Sequence, residues 1–221
     1  ALLASLALIV AVSLQIGVNY ANDYSDGIRG TDDYRVGPAR LTGSGQVEAQ
    51  LVKRAAVVSF GFAILAGMVL IVSSGTWWLV LVGALSLWAA WTYTGGTNPY
   101  GYRGFGEVVV FFFFGPVATA GTAYVQTGVV PIDSLVTGSG IGFFAAAVLL
   151  INNLRDMAPD KQAGKYTLSV RIGGLASRIL ITTFLALPFL SLGLLLREFP
   201  LSLWVLLAGI GAVAGGVKVW R

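Results

Sequence analysis

The chain has 221 residues, of which 56% are hydrophobic and only 11% charged, with a mean hydropathy of +0.80 and a formal net charge of +4. That composition excludes an ordinary soluble domain and describes a polytopic membrane protein. The lack of both Cys and His removes zinc sites of the usual ligands, thiolate nucleophiles, disulfides, His-ligated haem and every triad that needs imidazole. Chemistry must then rest on Asp, Glu, Lys, Arg, Tyr, Asn and a hard metal.

A spanning helix needs about 20 apolar residues, and the chain divides into seven such runs, at 1–20, 55–72, 77–93, 107–125, 135–151, 179–196 and 201–217. The expected fold class is therefore all-α, a polytopic membrane helix bundle. The first residue is Ala, already inside an apolar run, which reads as a piece lacking its natural start. No basic segment or small-residue cleavage site marks a signal peptide. The breaks after runs one, three, five and seven hold all the Lys and Arg residues except Arg197. The positive-inside rule makes that side cytoplasmic. Every acid lies there as well except Asp133 and Glu198, so one membrane face carries both signs of charge. Loops that served only to set orientation would need the bases alone.

The first polar stretch, 19–40, reads NYANDYSDGIRGTDDYRVGPAR. If the helix runs on into it, Asn19 and Asp23 (i, i+4) and Asp23 and Asp26 (i, i+3) share one face. Asp32 and Asp33 follow, with solvation of the loop and participation in a site equally open to them. A second stretch, 152–171, reads NNLRDMAPDKQAGKYTLSVR and opens with the same N-x-x-x-D, with Asn152, Asp156 and Asp160 at i, i+4, i+8. We read the pair as an internal repeat with a shared site. Two carboxylate clusters beside basic residues suit a diphosphate held by Mg²⁺, because Mg²⁺ keeps several waters and takes one or two carboxylates plus phosphate oxygens. Asp23, Asp26, Asp156 and Asp160 are the expected ligands, and Lys and Arg carry the remaining phosphate charge. The bland alternative is that these acids pair with nearby Arg.

Between the two lies 93–107, YTGGTNPYGYRGFGE, whose glycines permit tight turns and close backbone approach to a ligand. Small residues at Gly138, Gly142 and Ala146, and at Gly211 and Gly215, are expected as helix-packing contacts. The run of four Phe residues from Phe111 covers most faces of its helix, so one ring at least should point inward. Trp77, Trp78, Trp204 and Trp220 read as interfacial anchors.

Together NDYSDG, NNLRDMAPDKQAGKYTLSVR, TGGTNPYGYRGFGE and FFFFGPVATAGTAYVQ resemble the intramembrane aromatic prenyltransferases over nearly the whole chain. The likeness is greatest to the branch that acts on 1,4-dihydroxy-2-naphthoate in bacterial menaquinone synthesis. The resemblance implies a ring of nine helices around a cavity, with Mg²⁺ at two Asp-rich motifs. The seven runs here would make 1–221 a single intramembrane prenyltransferase domain lacking its first and last helices. Carried over by motif, Asn19, Asp23 and Asp26 match the first metal-diphosphate motif, and Asp156 and Asp160 the second, which Asn152 opens. Arg40 matches the basic position just downstream of the first motif, and Lys161 and Lys165 match basic positions of the second loop that contact phosphate. Tyr93, Tyr100 and Glu107 fall in the central motif as weaker substrate-binding candidates.

The implied reaction moves a polyprenyl group from an allylic polyprenyl diphosphate to 1,4-dihydroxy-2-naphthoate, with loss of diphosphate and CO₂, giving demethylmenaquinone. It needs Mg²⁺, takes place at the cytoplasmic face of a bacterial cell membrane, and involves the lipid bilayer but no nucleic acid. Other aromatic acceptors (4-hydroxybenzoate, homogentisate, a tetrapyrrole) are alternatives. A transporter is the rival from another class, but carriers place ionisable groups near mid-membrane, whereas the charges here collect at helix ends and in loops.

Overall fold

The computed structural model describes residues 1–33 and 36–195, and among them every regular element is helical. The elements are α1 (Leu2–Ile28), α2 (Ala49–Ser74), α3 (Leu79–Thr92), α4 (Gly106–Phe112), α5 (Ala118–Thr127), α6 (Ile132–Arg155), α7 (Met157–Gln162) and α8 (Leu168–Leu192). A 3₁₀ turn at Tyr100–Arg103 and a π-helical turn at Phe113–Val117 complete the set that matters here. Among the described residues five helical stretches are long and apolar enough to cross a membrane: Leu2–Ile28, Ala49–Ser74, Gly106–Thr127, Ile132–Arg155 and Leu168–Ser191. Leu79–Thr92 is apolar but shorter. The seventh run expected at 201–217, with Gly211, Gly215, Trp204 and Trp220, lies outside the described residues.

Three elements differ from the expected runs. α1 continues beyond the apolar run through Asp23 and Asp26 to Ile28, so the conditional helical spacing of the first motif is realised. The fifth run does not carry its helix through the second motif. α6 stops at Arg155, Asp156 is the C-cap residue with φ −92° and ψ 11°, and Asp160 sits on the separate helix α7. Equal spacing in sequence thus yields one continuous face in the first motif and a broken helix in the second. α8 likewise begins at Leu168 rather than at 179, taking Arg171 and Arg178 into a helix expected to start after them. Its interior break at Gly173, φ 82° and ψ 168°, needs a residue without Cβ.

The chain forms two compact units, one of Ala1–Arg103 with Ala158–Tyr166, the other of Gly104–Met157 with the described part of Thr167–Arg221. In the first, α1 packs along α2, and α3 lies against both. Ala21, Ala56 and Phe60 form a buried cluster flanked by Leu14, Tyr20, Leu87, Ala90 and Trp91. Gly17 makes that contact close, since a Cβ there would fall 2.6 Å from the Phe60 ring. In the second unit α6 packs against α8, and against α4 and the π turn. Lipid tails are as apolar as Leu, so membrane helices associate through close packing of small residues rather than through a hydrophobic drive. Gly142 meets the Phe111 carbonyl and Gly138 meets Gly115 and Pro116, as the small-residue pattern anticipates. Pro116 lies inside the π turn that interrupts this span. Of the four Phe residues, Phe111 turns inward, its ring 4.7 Å from that of Phe143, while Phe112 and Phe114 are exposed.

Candidate active site

In the first unit the polar end of α1 collects partners from three later segments. Asp23 is buried, and its two carboxylate oxygens accept hydrogen bonds from the backbone amides of Leu41 (2.9 Å) and Thr42 (2.8 Å). The loop that starts at Arg40 is thereby tied to the helix. One turn on, Asp26 is 2% exposed and receives a hydrogen bond from the Tyr102 hydroxyl at 2.8 Å on one oxygen and from the Lys165 ammonium at 3.0 Å on the other. Lys165 Nζ also lies 3.9 Å from Asp160 Oδ1, so two buried carboxylates address one cation position.

Local geometry delivers Lys165 there. α7 ends at Gln162, and Gly164 adopts φ 73°, the left-handed conformation that reverses a chain at a helix end. The Lys165 amide then donates to the Asp160 carbonyl at 2.8 Å, so ammonium and carboxylate return to the same place. Burial by itself would lower the Lys165 pKa, but the Asp26 charge, with contributions from Tyr93, Asp160 and Tyr102, outweighs it and raises the value. Lys165 is a fixed positive charge at any working pH.

Tyr102 joins the parts of this cluster. Its hydroxyl shares hydrogen bonds with Thr31 and Asp26, both at 2.8 Å. Its ring carries Arg29 at 5.2 Å and Lys165 at 5.3 Å over the centroid, and its carbonyl accepts the Tyr166 amide. Burial first, and the Asp26 charge second, push its phenol up to about 12, so it stays a hydrogen-bond donor. Arg29 reaches the carbonyls of Thr94 and Gly96, and the Thr94 hydroxyl donates to Asn22. The glycine-rich segment is thus bound to the end of α1 at several points. Tyr100 donates to the Ala89 carbonyl at 2.9 Å and stands beside Tyr93, ring centroids 5.5 Å apart. Burial, and then Tyr93, raise its pKa.

The second unit holds its own polar group within the membrane-crossing helices. Glu107, 2% exposed at the start of α4, accepts from Asn153 Nδ2 at 2.8 Å through Oε1, while Oε2 is buried with no hydrogen-bond partner. Asp156 forms a bidentate pair with Arg155, at 2.9 and 2.7 Å.

The family model for UbiA prenyltransferases matches residues 1–221. The chain belongs to the UbiA prenyltransferase family. It is 53% identical over 183 residues to a 1,4-dihydroxy-2-naphthoate octaprenyltransferase of Mycobacterium tuberculosis, covering 83% of this chain and 62% of that protein. Proteins of the same description in Escherichia coli (40% identical; 80% of this chain, 59% of that protein) and Bacillus subtilis (31%; 80% and 57%) also match. The chain spans about three fifths of the length of these curated relatives.

The candidate residues fall on both units. Among the predicted residues, Asp23, Asp26, Arg40, Tyr93, Tyr100, Asp160 and Lys165 belong to the first, and Glu107, Asn152 and Asp156 to the second. Asn19 is exposed and bonded to the Gln15 carbonyl, and Lys161 is exposed on α7. Among the described residues no three His, Cys, Asp or Glu side chains converge on a metal position. Asp26 and Asp160 converge as a pair, which fits an ion that takes one or two carboxylates and fills its shell with phosphate oxygens and water. Sequence reasoning did not single out Arg29, Asn22 or Asn153. The pairs Asn22-Asp23 and Asn152-Asn153 were the available signal, since in each the neighbour of the chosen residue makes the longer-range contact.

Proposed function

We propose that this chain carries the catalytic region of a bacterial membrane prenyltransferase that joins the polyprenyl group of an allylic diphosphate to 1,4-dihydroxy-2-naphthoate. The observation that carries this reading is the 53% identity over 183 residues to the mycobacterial enzyme of that description. In the reaction the allylic C–O bond breaks and its electron pair leaves on diphosphate. The electron-rich ring supplies the pair for the new C–C bond, and the carboxylate departs as CO₂. The product is the reduced form of demethylmenaquinone.

Asp26 and Asp160 would hold Mg²⁺, which would neutralise charge developing on the leaving diphosphate. Lys165 adds a fixed positive charge beside them, and Arg40 begins the loop that Asp23 tethers through the next two amides. Asp156 completes the second motif in our reading, with Arg155 holding its carboxylate. Tyr102 orients Asp26. Glu107, steadied by Asn153, offers its second oxygen to a hydroxyl of the aromatic acceptor. No side-chain nucleophile is required, consistent with a chain without Cys or His. We place the charged helix ends at the cytoplasmic face, from the distribution of Lys and Arg.

The test uses the full-length protein in membranes, offered one polyprenyl diphosphate with 1,4-dihydroxy-2-naphthoate or 4-hydroxybenzoate. Prenylated naphthalenediol and CO₂ are expected from the first only. Turnover of 4-hydroxybenzoate alone would overturn the acceptor, and turnover of neither would overturn the reading.

A further inference from the structure

We infer that Lys165 is a built-in competitor for the metal position, a counter-ion that the diphosphate must draw away before Asp26 and Asp160 can take a divalent cation. The inference rests on the proposed reading above and concerns how its two ligands, metal and diphosphate, become coupled. Lys165 Nζ stands 3.0 Å from Asp26 Oδ2 and 3.9 Å from Asp160 Oδ1, with all three residues buried. Two buried carboxylates require a cation, and this one is covalently supplied. An ammonium and a divalent ion a few ångströms apart repel strongly when buried, so both do not occupy one position.

The same geometry provides the way out. The main chain of Lys165 is pinned by the hydrogen bond that its amide donates to the Asp160 carbonyl, but the four-carbon stem lets the head swing without moving that anchor. The Tyr102 ring, already 5.3 Å from Nζ, lines one side of the path and keeps a favourable surface against the charge. A diphosphate entering beside Asp26 offers the ammonium a denser anion than either carboxylate, and the vacated pair then accepts the metal. Metal and diphosphate therefore favour each other's binding through the movement of one side chain, and by linkage the coupling is reciprocal.

The experiment measures Mn²⁺ binding to the full-length protein in nanodiscs, by the electron paramagnetic resonance signal of free Mn²⁺, without diphosphate. Lys165→Met and Lys165→Gln should bind Mn²⁺ about tenfold or more tightly than the unaltered protein, because a repelling charge has been removed, and Lys165→Arg should not. Lys165→Gln keeps a donor for Asp26 and guards against a Lys165→Met protein that fails to fold. Adding Asp26→Asn to Lys165→Gln should abolish the gain, and a gain that survives it would assign the extra binding elsewhere and overturn the inference. With saturating Mn²⁺, labelled inorganic pyrophosphate should bind more weakly to Lys165→Gln than to the unaltered protein. Unchanged or weaker Mn²⁺ affinity in the neutral variants, with Mn²⁺ still bound, would overturn the competition and leave the metal reading standing. No Mn²⁺ binding in any form, with or without pyrophosphate, would overturn both.

Discussion

Replacing Asp23 by Asn should loosen the loop after α1 as well as stop turnover, and the size of the loosening follows from two hydrogen bonds. The carboxylate accepts the Leu41 and Thr42 amides at 2.9 and 2.8 Å, and Asp23 is 5% exposed, so water does not substitute freely. The Asn side chain keeps one acceptor oxygen but turns an NH₂ toward the other amide, which is left facing a donor. An unsatisfied buried amide costs about 1–3 kcal/mol, and the surviving bond loses its charge assistance, so the total is about 2–3 kcal/mol. Each 1.4 kcal/mol is tenfold in an opening equilibrium, so amide exchange at Leu41 and Thr42 should speed up about 30- to 150-fold. Hydrogen–deuterium exchange on the protein in nanodiscs, without added Mg²⁺, reads this directly. Exchange that stays at the unaltered rate while Mg²⁺ affinity falls would refute the loop-anchor argument and return Asp23 to the role of a direct metal ligand.

Tyr102→Phe keeps the ring under Lys165 but deletes the donor to Asp26, and turnover should fall about tenfold, one buried hydrogen bond to a charged group. The folded phenol ionises near 12 against an ordinary value near 10, so its contribution to stability is complete below pH 10 and lost as pH rises toward 12. Alkaline unfolding followed by Trp fluorescence should therefore move to higher pH in Tyr102→Phe, and an unmoved midpoint would count against a buried phenol. Gly142→Ala places a Cβ 2.5 Å from the Phe111 carbonyl and should cost about 1–3 kcal/mol in thermal unfolding. Gly121→Ala, with open space around it, should be neutral or mildly stabilising, and equal effects at the two positions would contradict the packing described. The chain has no Cys, so single Cys residues at the exposed positions Asn98 and Ala163 should react with an impermeant thiol reagent only from the cytoplasm. Val130→Cys should react only from outside, and the opposite pattern would reverse the topology.

Helices α1 to α6 were legible because membrane spans announce themselves by length and apolarity. Their ends were less so, for a physical reason. Apolarity marks where lipid stops, whereas a helix stops where its backbone finds other partners. α1 runs on past its apolar run to Ile28 because Asp23 and Asp26 are satisfied by Leu41, Thr42, Tyr102 and Lys165, contacts between residues far apart in sequence. α8 too starts before its apolar run. Thr167 and Leu168 begin the helix, and Gly173 bends it before the apolar run begins. Spacing and charge singled out Asp23, Asp26 and Asp160, and the family resemblance added Lys165, but the two hydrogen bonds that Asp23 accepts from backbone amides could not be read from its spacing. Arg29 looked like one more loop base, and its hold on the Thr94 and Gly96 carbonyls joins residues more than sixty positions apart.

N-x-x-x-D recurs at Asn19 and at Asn152 with the same apolar approach, and spacing alone predicts two equivalent helical faces. In the first copy the helix continues, so the motif's second carboxylate, Asp26, sits one turn beyond Asp23 and faces Lys165. In the second the helix stops at Arg155, with Asp156 as its cap, and a break carries Asp160 onto α7, after which the Gly164 turn brings Lys165 back to it. A continuous helix could not have done this, because Lys165, five residues beyond Asp160, would point to a different side of it. The break converts a run of charges into a carboxylate and an ammonium aimed at one position, the position that Asp26 meets from α1. The two halves resemble each other in sequence because both end a membrane helix in acid. They differ in backbone because only one of them also supplies the cation.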